Sequence, residues 1–321
     1  MAEFLISPED LQTSARKYRK ELLKMPVMAL GAALQHMTLR TGIRFSETVG
    51  ELTGDIELGP YSETREAEDS SAIEGRTLYT FFGSAVQNFS PNKLYKTIYG
   101  DNITKGEALK KTDITRQLVA LLSKKVGEKL YHNLWKAVRN ENGNKTSELF
   151  NGLDTITATE LTAGKLSAAL GNYMTIDAID KTNAVDVLKT ICQTANPFLT
   201  EGSQAKLFIP RHVLFDYCED YKSTTGAIPY NKEYKQYYVE GFENVSLVAM
   251  ANKQDSPFIH LTTKQNVLIG VNQTGEEEDI EVARFKAFVL QFIMTMFFGT
   301  QFETLSKERL FVAGIDGKLA V

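Results

Sequence analysis

The side chains able to do chemistry are few and scattered. Two cysteines, Cys192 and Cys218, are the only thiols, and four histidines, His36, His132, His212 and His260, are the only bases that titrate near neutral pH. No His-x-x-x-His or His-Glu pair occurs, so a metal site would have to be assembled from separate segments. Both cysteines fall in predicted helices, where a buried free thiol is the plain reading. Cys218 with His212 is the alternative, as nucleophile and base, but six residues on one helix place them on different faces. His132 reads as a surface or interface residue of a long helix. Glu276-Glu277-Glu278-Asp279 lacks the ligand spacing of a calcium loop and is expected to be a solvated turn. There is no Gly-x-Gly-x-x-Gly, no phosphate loop and no Gly-x-Ser-x-Gly elbow. No catalytic, cofactor-binding or metal-binding residue is assigned, and no cofactor is expected.

The elements that would position such residues must come from a chain of 321 residues, 43% hydrophobic and 24% charged. That is long enough for roughly two domains of ~150 residues, and too apolar for a disordered chain. Two cysteines exclude a disulfide-dense secreted scaffold. A net charge of −4 and a pI near 5.7 argue against a dedicated nucleic-acid binder. Composition alone points to a soluble mixed α/β protein. Met1 to Asp10 meets acidic residues at once, so no signal peptide is expected. The most apolar run, Ala287 to Gly299, is interrupted by Gln291 and Thr295 and falls short of the ~18 residues of a membrane span. It reads as a buried strand, and no membrane contact is expected.

Ser7-Pro8-Glu9-Asp10 opens a helix, with Ser as N-cap, Pro at the first helical position and acids in the first turn. Leu11, Ala15, Tyr18 and Leu22 follow at helical spacing. Pro26 should break this helix, and a second helical stretch is expected from about Val27 to Leu39, before Gly42. From Ile43 to about Ile103 glycines punctuate the chain and alternation appears, as in Asp55-Ile56-Glu57-Leu58. This reads as a long β-excursion with an acidic middle, and such long segments are usually functional. A strong helix follows from Thr112. Its apolar stripe is Ile114, Leu118, Leu122, Val126, Leu130, Leu134 and Val138, and it ends in Asn140-Glu141-Asn142-Gly143-Asn144. Beyond Gly152 the chain reads as an α/β unit: helix Ala184 to Thr194, strand Ala205 to Ile209, and a helix from Pro210 to Tyr221. Val245 to Ala251, Phe258 to Thr262 and Asn266 to Val271 read as strands. A long strand-like run is expected from Ile280 to about Phe298.

The charge is unevenly spread. Residues 43–78 hold three Arg and no Lys against nine Asp/Glu, a net of −6, while residues 104–140 hold nine Lys/Arg against three Asp/Glu, a net of +6. Two solvated faces account for this at little energetic consequence. The alternative is that the acidic excursion (Glu63, Glu66, Glu68, Asp69) docks on the basic helix (Lys124, Lys125, Lys129), within one chain or between copies. Such complementarity sets register and assembly rate more than affinity.

The order of these pieces resembles the tailed-phage major capsid protein family, the Hong Kong 97-type fold also used by encapsulin shells. The resemblance is carried by Asn140-Glu-Asn-Gly-Asn-Lys-Thr-Ser-Glu-Leu-Phe-Asn-Gly-Leu153, Phe208-Ile-Pro-Arg-His-Val213 and Thr262-Thr-Lys-Gln-Asn-Val-Leu-Ile-Gly-Val-Asn272. Ile280-Glu-Val-Ala-Arg284 and Leu310-Phe-Val-Ala-Gly314 also fit. It implies an α+β fold with a helical N-terminal arm (1–42), an extended β-loop (43–102), a peripheral domain with a long spine helix (103–150 and 270–321) and an axial α/β domain (151–269). It further implies a non-enzymatic protein that assembles with itself into the pentamers and hexamers of an icosahedral capsid around double-stranded DNA. The chain would be found in the virion, and before assembly in the bacterial cytoplasm. Partners would be a portal and, because the arm begins almost at Met1, a separate scaffolding protein or none. In this family the extended loop lies over a neighbour's peripheral domain, where the acidic run and the basic helix could meet; a spine helix facing packaged DNA is the competing use of the same lysines. An encapsulin-type compartment shell is the alternative in the same fold, and a cytosolic α/β enzyme using Cys218 or scattered acids the alternative in another class.

Overall fold

The computed structural model describes residues 8–53, 61, 72–90, 111–201, 204–226, 230–231, 236–272, 278–286 and 289–316. The arm begins with α1 (Pro8–Lys17), its proline in the first turn as the sequence requires, and buries Leu11 and Ala15. Three single turns follow: α2 (Arg19–Leu22), α3 (Met25–Met28) and α4 (Gly31–Leu34). The expected continuous helix to Leu39 is not formed. Thr38–Arg40 instead make strand β1, and the Thr38 hydroxyl donates to the Lys264 carbonyl at 2.9 Å. A sheet edge offers this β-branched segment the partners that helix extension would have supplied.

The long helix α5 (Lys111–Asn133) carries the arm along its side. Its buried stripe runs through Val119, Ser123, Gly127, Leu130 and Leu134, with Ser123 donating to the Val119 carbonyl at 3.0 Å. Gly127 is the point of closest approach, where a Cβ would overlap the Pro26 carbonyl and stand 2.7 Å from the Ala29 Cβ. The helix stops short of Val138, which the periodicity had placed on the buried stripe. Val138 N–H donates to the Ser147 carbonyl at 2.9 Å and Asn140 N–H to the Glu148 carbonyl at 2.9 Å. The chain thus trades its last helical turn for a short ladder across the Asn/Gly turn, and Val138 faces solvent.

Five strands make the first sheet. β13 (Val289–Phe302) is its centre, antiparallel to β11 (Val267–Val271) and β12 (Ile280–Lys286) on one side and to β4 (Phe81–Phe89) on the other; β1 adds to β11 in parallel. The run expected as one long strand is therefore two, folded back so that Val282 faces Phe292 and Ile280 faces Met294. Along β13 the residues at 290, 292, 294, 296 and 298 are buried and those between, up to 295, half-buried, so one face meets the arm and α5. The β-excursion is a two-stranded ribbon, β2 (Ser46–Thr53) with β3 (Ala72–Tyr79), continuing into β4. The ribbon's root lies over Gly270 and Gly299, directly opposed on β11 and β13.

The second sheet has seven strands in the order β5 (Tyr173–Ile176), β14 (Leu310–Ile315), β10 (Phe258–Thr263), β6 (Ala205–Pro210), β9 (Phe242–Met250), β8 (Gln236–Val239) and β7 (Tyr230–Asn231). Helices α7 (Ala184–Thr194) and α9 (Arg211–Thr225) pack with Leu207, Ile209, Ile259 and Leu261 on one face. The alternate residues Phe208, Phe258 and Val312 join the core of α5 and the first sheet. Burial on both faces explains why these strands read as continuous apolar runs. Short helices α6 (Leu153–Thr162) and α8 (Pro197–Glu201), and strands β5, β7 and β8, were not anticipated. No helix among the described residues is long and apolar enough to cross a membrane.

Candidate assembly surfaces

The basic helix presents its charges outward. Lys124, Lys125 and Lys129 are exposed on α5, in a ridge with Leu121, Glu128, His132 and Lys136. Glu128 is the single acid of that ridge. The intended counterparts, Glu63, Glu66, Glu68 and Asp69, lie outside the described residues.

A second surface, which the sequence reading missed, surrounds the ribbon's root. Phe45 has a left-handed backbone (φ +71°), unusual for an aromatic residue, and its carbonyl accepts from Thr80 N–H at 2.8 Å. Its ring meets that of buried Phe297 edge-on at 5.2 Å, and Phe82 reaches the same ring at 4.8 Å. Phe45, Tyr79, Phe82 and Val86 all remain more than half or nearly half exposed, forming an apolar strip along β4. The usable signal was the alternation Phe82, Ser84, Val86 on one strand face. Arg76 clamps the ribbon: it donates to Glu160 at 2.6 Å, to Gln301 at 3.0 Å and to the Phe302 carbonyl at 3.2 Å.

Neither thiol is set up as a nucleophile. Burial pushes the Cys192 thiol up to about 12, and raises Cys218 as well, the reverse of what activation requires. His132 is exposed on α5 as expected. Among the described residues no group of three or more His, Cys, Asp and Glu is placed to hold a metal. Of the acidic quartet, Glu276 and Glu277 lie outside the described residues, and Glu278 departs from the solvated turn expected of it. Glu278 is buried and accepts from Phe297 N–H at 2.9 Å, its carbonyl accepts from the Arg19 Nε at 3.1 Å, and Asp279 pairs with Arg19 at 3.2 Å. Glu278 and Asp279 thus fasten the arm to the first sheet, because their backbone and carboxylates satisfy groups the sheet end leaves open.

Where the end of α5, α6 and β10 meet, a buried polar cluster lies between the two sheets. Lys253, with no exposed surface, donates to Asp154 at 2.8 Å and to Ser256 at 2.7 Å, and its ammonium stands 3.8 Å from the Trp135 ring centroid. His260 Nε2 lies 2.8 Å from the Thr157 hydroxyl, and its ring stacks on Phe302 at 5.7 Å. Burial lowers Lys253 to about 8, raises Asp154, and holds His260 well below the usual imidazole range. Asp154 and Lys253 are 99 positions apart, and Thr157 and His260 103, in segments that look unremarkable one at a time, so no local spacing could have found them.

His36 is likewise held low, at about 4, by burial and by Lys206 and Lys264. Unfolded histidines bind protons below ~6.5, whereas His36 and His260 in the fold do not. Stability is therefore expected to be intact above pH 6.5 and to fall as pH drops toward about 4. Thermal unfolding of the unassembled chain across that window should show the loss. His36→Gln should reduce it by about 1 kcal/mol, a modest share because the side chain is partly exposed to solvent screening.

Comparison of the whole chain with solved structures places its fold. It superposes on the satellite phage P4 procapsid that includes the size determination (Sid) protein with a TM-score of 0.58 at 10% identity, covering 94% of this chain and 99% of that one. The capsid asymmetric unit of cyanophage A-1(L) gives 0.54 at 11% identity, covering 91% and 92%. The capsid of the empty GTA particle gives 0.54 at 11% identity, covering 88% and 89%. No protein-family model and no curated protein sequence matches the chain. The likeness extends over nearly the full length: the chain has the Hong Kong 97-type fold of phage major capsid proteins.

Proposed function

We propose that this chain is a structural major capsid protein, whose copies assemble into the pentamers and hexamers of an icosahedral shell enclosing phage double-stranded DNA. The observation that carries the reading is the extent of the likeness, 94% of this chain against 99% of a procapsid chain. Residues 1–42 serve as the arm, 43–102 as the extended loop, 103–150 with 270–321 as the peripheral domain, and 151–269 as the axial domain. β14, although within 270–321, pairs with β5 and β10 of the 151–269 stretch. Lys124, Lys125 and Lys129 of one copy receive Glu63, Glu66, Glu68 and Asp69 of another. The shell acts in the virion, after assembly in the bacterial cytoplasm with a portal and, where needed, a separate scaffolding protein. Thiols raised by burial support a role without catalysis.

Electron microscopy of the expressed chain, alone and with its phage partners, tests this. Rings, sheets or closed shells are expected. A chain that stays dispersed in both settings would sink the reading.

A further inference from the structure

The Lys253–Asp154 pair has more than the makings of a salt bridge. Two opposite charges taken fully out of water lose several kcal/mol each in solvation, and mutual attraction rarely returns all of it. A neutral amine beside a neutral carboxylic acid is the form a dry site favours, and both groups move in that direction: burial lowers Lys253 and raises Asp154. An uncharged amine is a nucleophile, and a carboxylic acid carbon is its electrophile. Nζ lies 2.8 Å from Asp154 Oδ1, with Ser256 and the Trp135 ring fixing its position. Held partners of this kind react with effective molarities of 10⁵–10⁸ M, roughly, when oriented.

His260 supplies the proton path. The Thr157 hydroxyl donates its one hydrogen to the Leu153 carbonyl at 2.9 Å, so it accepts from His260 Nε2 at 2.8 Å. Nε2 therefore carries the proton, and Nδ1 is a bare lone pair. Nδ1 is buried, has no hydrogen-bond partner, and stands 4.0 Å from Asp154 Oδ1. A buried, neutral imidazole with a free lone pair beside a carboxyl is a base without another task in the fold.

We propose that Lys253 and Asp154 join through a side-chain amide bond formed within the folded chain, with His260 as the proton carrier. Lys253 Nζ attacks Asp154 Cγ, forming the C–N bond. Nδ1 of His260 takes a proton from the nitrogen and returns it to the departing hydroxyl, the C–O bond breaks, and one water leaves. Nothing is oxidised or reduced, and no co-reactant is needed. The bond closes a 99-residue stretch and locks α6 to the loop before β10, beside the end of α5. It forms inside one chain, so it stands or falls independently of shell assembly.

The test is the intact mass of the purified, denatured wild-type chain, followed by proteolysis. The expected chain is lighter by one water, and its digest contains a branched peptide holding both Asp154 and Lys253. Lys253→Arg replaces the amine with a guanidinium that cannot form the amide and should have its full sequence mass; circular dichroism checks that it is folded. His260→Gln should accumulate the unlinked mass early after synthesis. Folded wild-type chain of full mass overturns the proposal, as does the same water loss in Lys253→Arg. Linking at the wild-type rate in His260→Gln overturns the proton-carrier role.

Discussion

Gly299→Val is expected to destabilise the chain by about 3 kcal/mol or more and to loosen the ribbon from the sheet. A Cβ at this position would overlap the Tyr79 carbonyl and come within 3.1 Å of Thr80 Cα, both backbone atoms of the ribbon's root. Backbone cannot rotate out of the way as a side chain can, so either β13 or the turn from β3 to β4 must move. Gly270, its partner across the ladder, is the internal control. A Cβ there meets Thr80 Cγ2 at 2.8 Å and Leu78 Cδ2 at 3.1 Å, side-chain atoms able to shift, so Gly270→Ala should cost distinctly less. Gly31, with open space around its position, should tolerate alanine with no loss. Thermal unfolding gives the order of the three, with Gly299→Val lowest by several degrees. Limited proteolysis at the ribbon should quicken in Gly299→Val alone. Equal behaviour of Gly299→Val and Gly270→Ala would show that the root has room to lift.

What the sequence revealed of this arrangement followed the range of each interaction. Ala184–Thr194 is a helix and Phe258–Thr263 a strand because their patterns are set within a few residues, and both were legible. The run from Ile280 misled because a hairpin of two buried strands has the same apolar texture as one long strand. Only the pairing of Ile280 with Met294 distinguishes them. Thr38–Arg40 became a strand because β11, more than two hundred residues away, offered an edge. The opposed pair Gly270 and Gly299, and the cluster of Asp154, Lys253 and His260, depend on contacts of the same long range. The outward lysines of α5 were legible, since an amphipathic helix has only one face for them.

Replacing Lys124, Lys125 and Lys129 together by Glu should abolish or strongly delay assembly while leaving the unassembled chain as stable as wild type. All three side chains are exposed, so the fold loses no buried contact. One exposed ion pair contributes only ~0.2–1 kcal/mol, too little to matter in a monomer. Repetition changes the outcome. Three attractions turned into repulsions shift each subunit contact by about 1–3 kcal/mol, and every 1.4 kcal/mol is tenfold in an equilibrium constant. A closed shell multiplies that penalty over all its contacts, so the concentration needed for assembly rises steeply. Reversing Glu63, Glu66, Glu68 and Asp69 to Lys should have the same effect, and the two sets combined should restore particles, because the charges then complement each other again. Raised salt should weaken wild-type assembly and partly relieve both reversed variants, since screening reaches ~8 Å at physiological ionic strength. Sedimentation and electron microscopy at low and high salt read all of these outcomes. If the lysines instead face packaged DNA, the Lys-to-Glu variant will build normal empty shells and fail only in retaining DNA. Normal empty shells from the Lys-to-Glu variant would agree with that second role, and failure of the combined variant to form particles, after each reversed set alone had failed, would exclude direct pairing of the lysines with the acidic run.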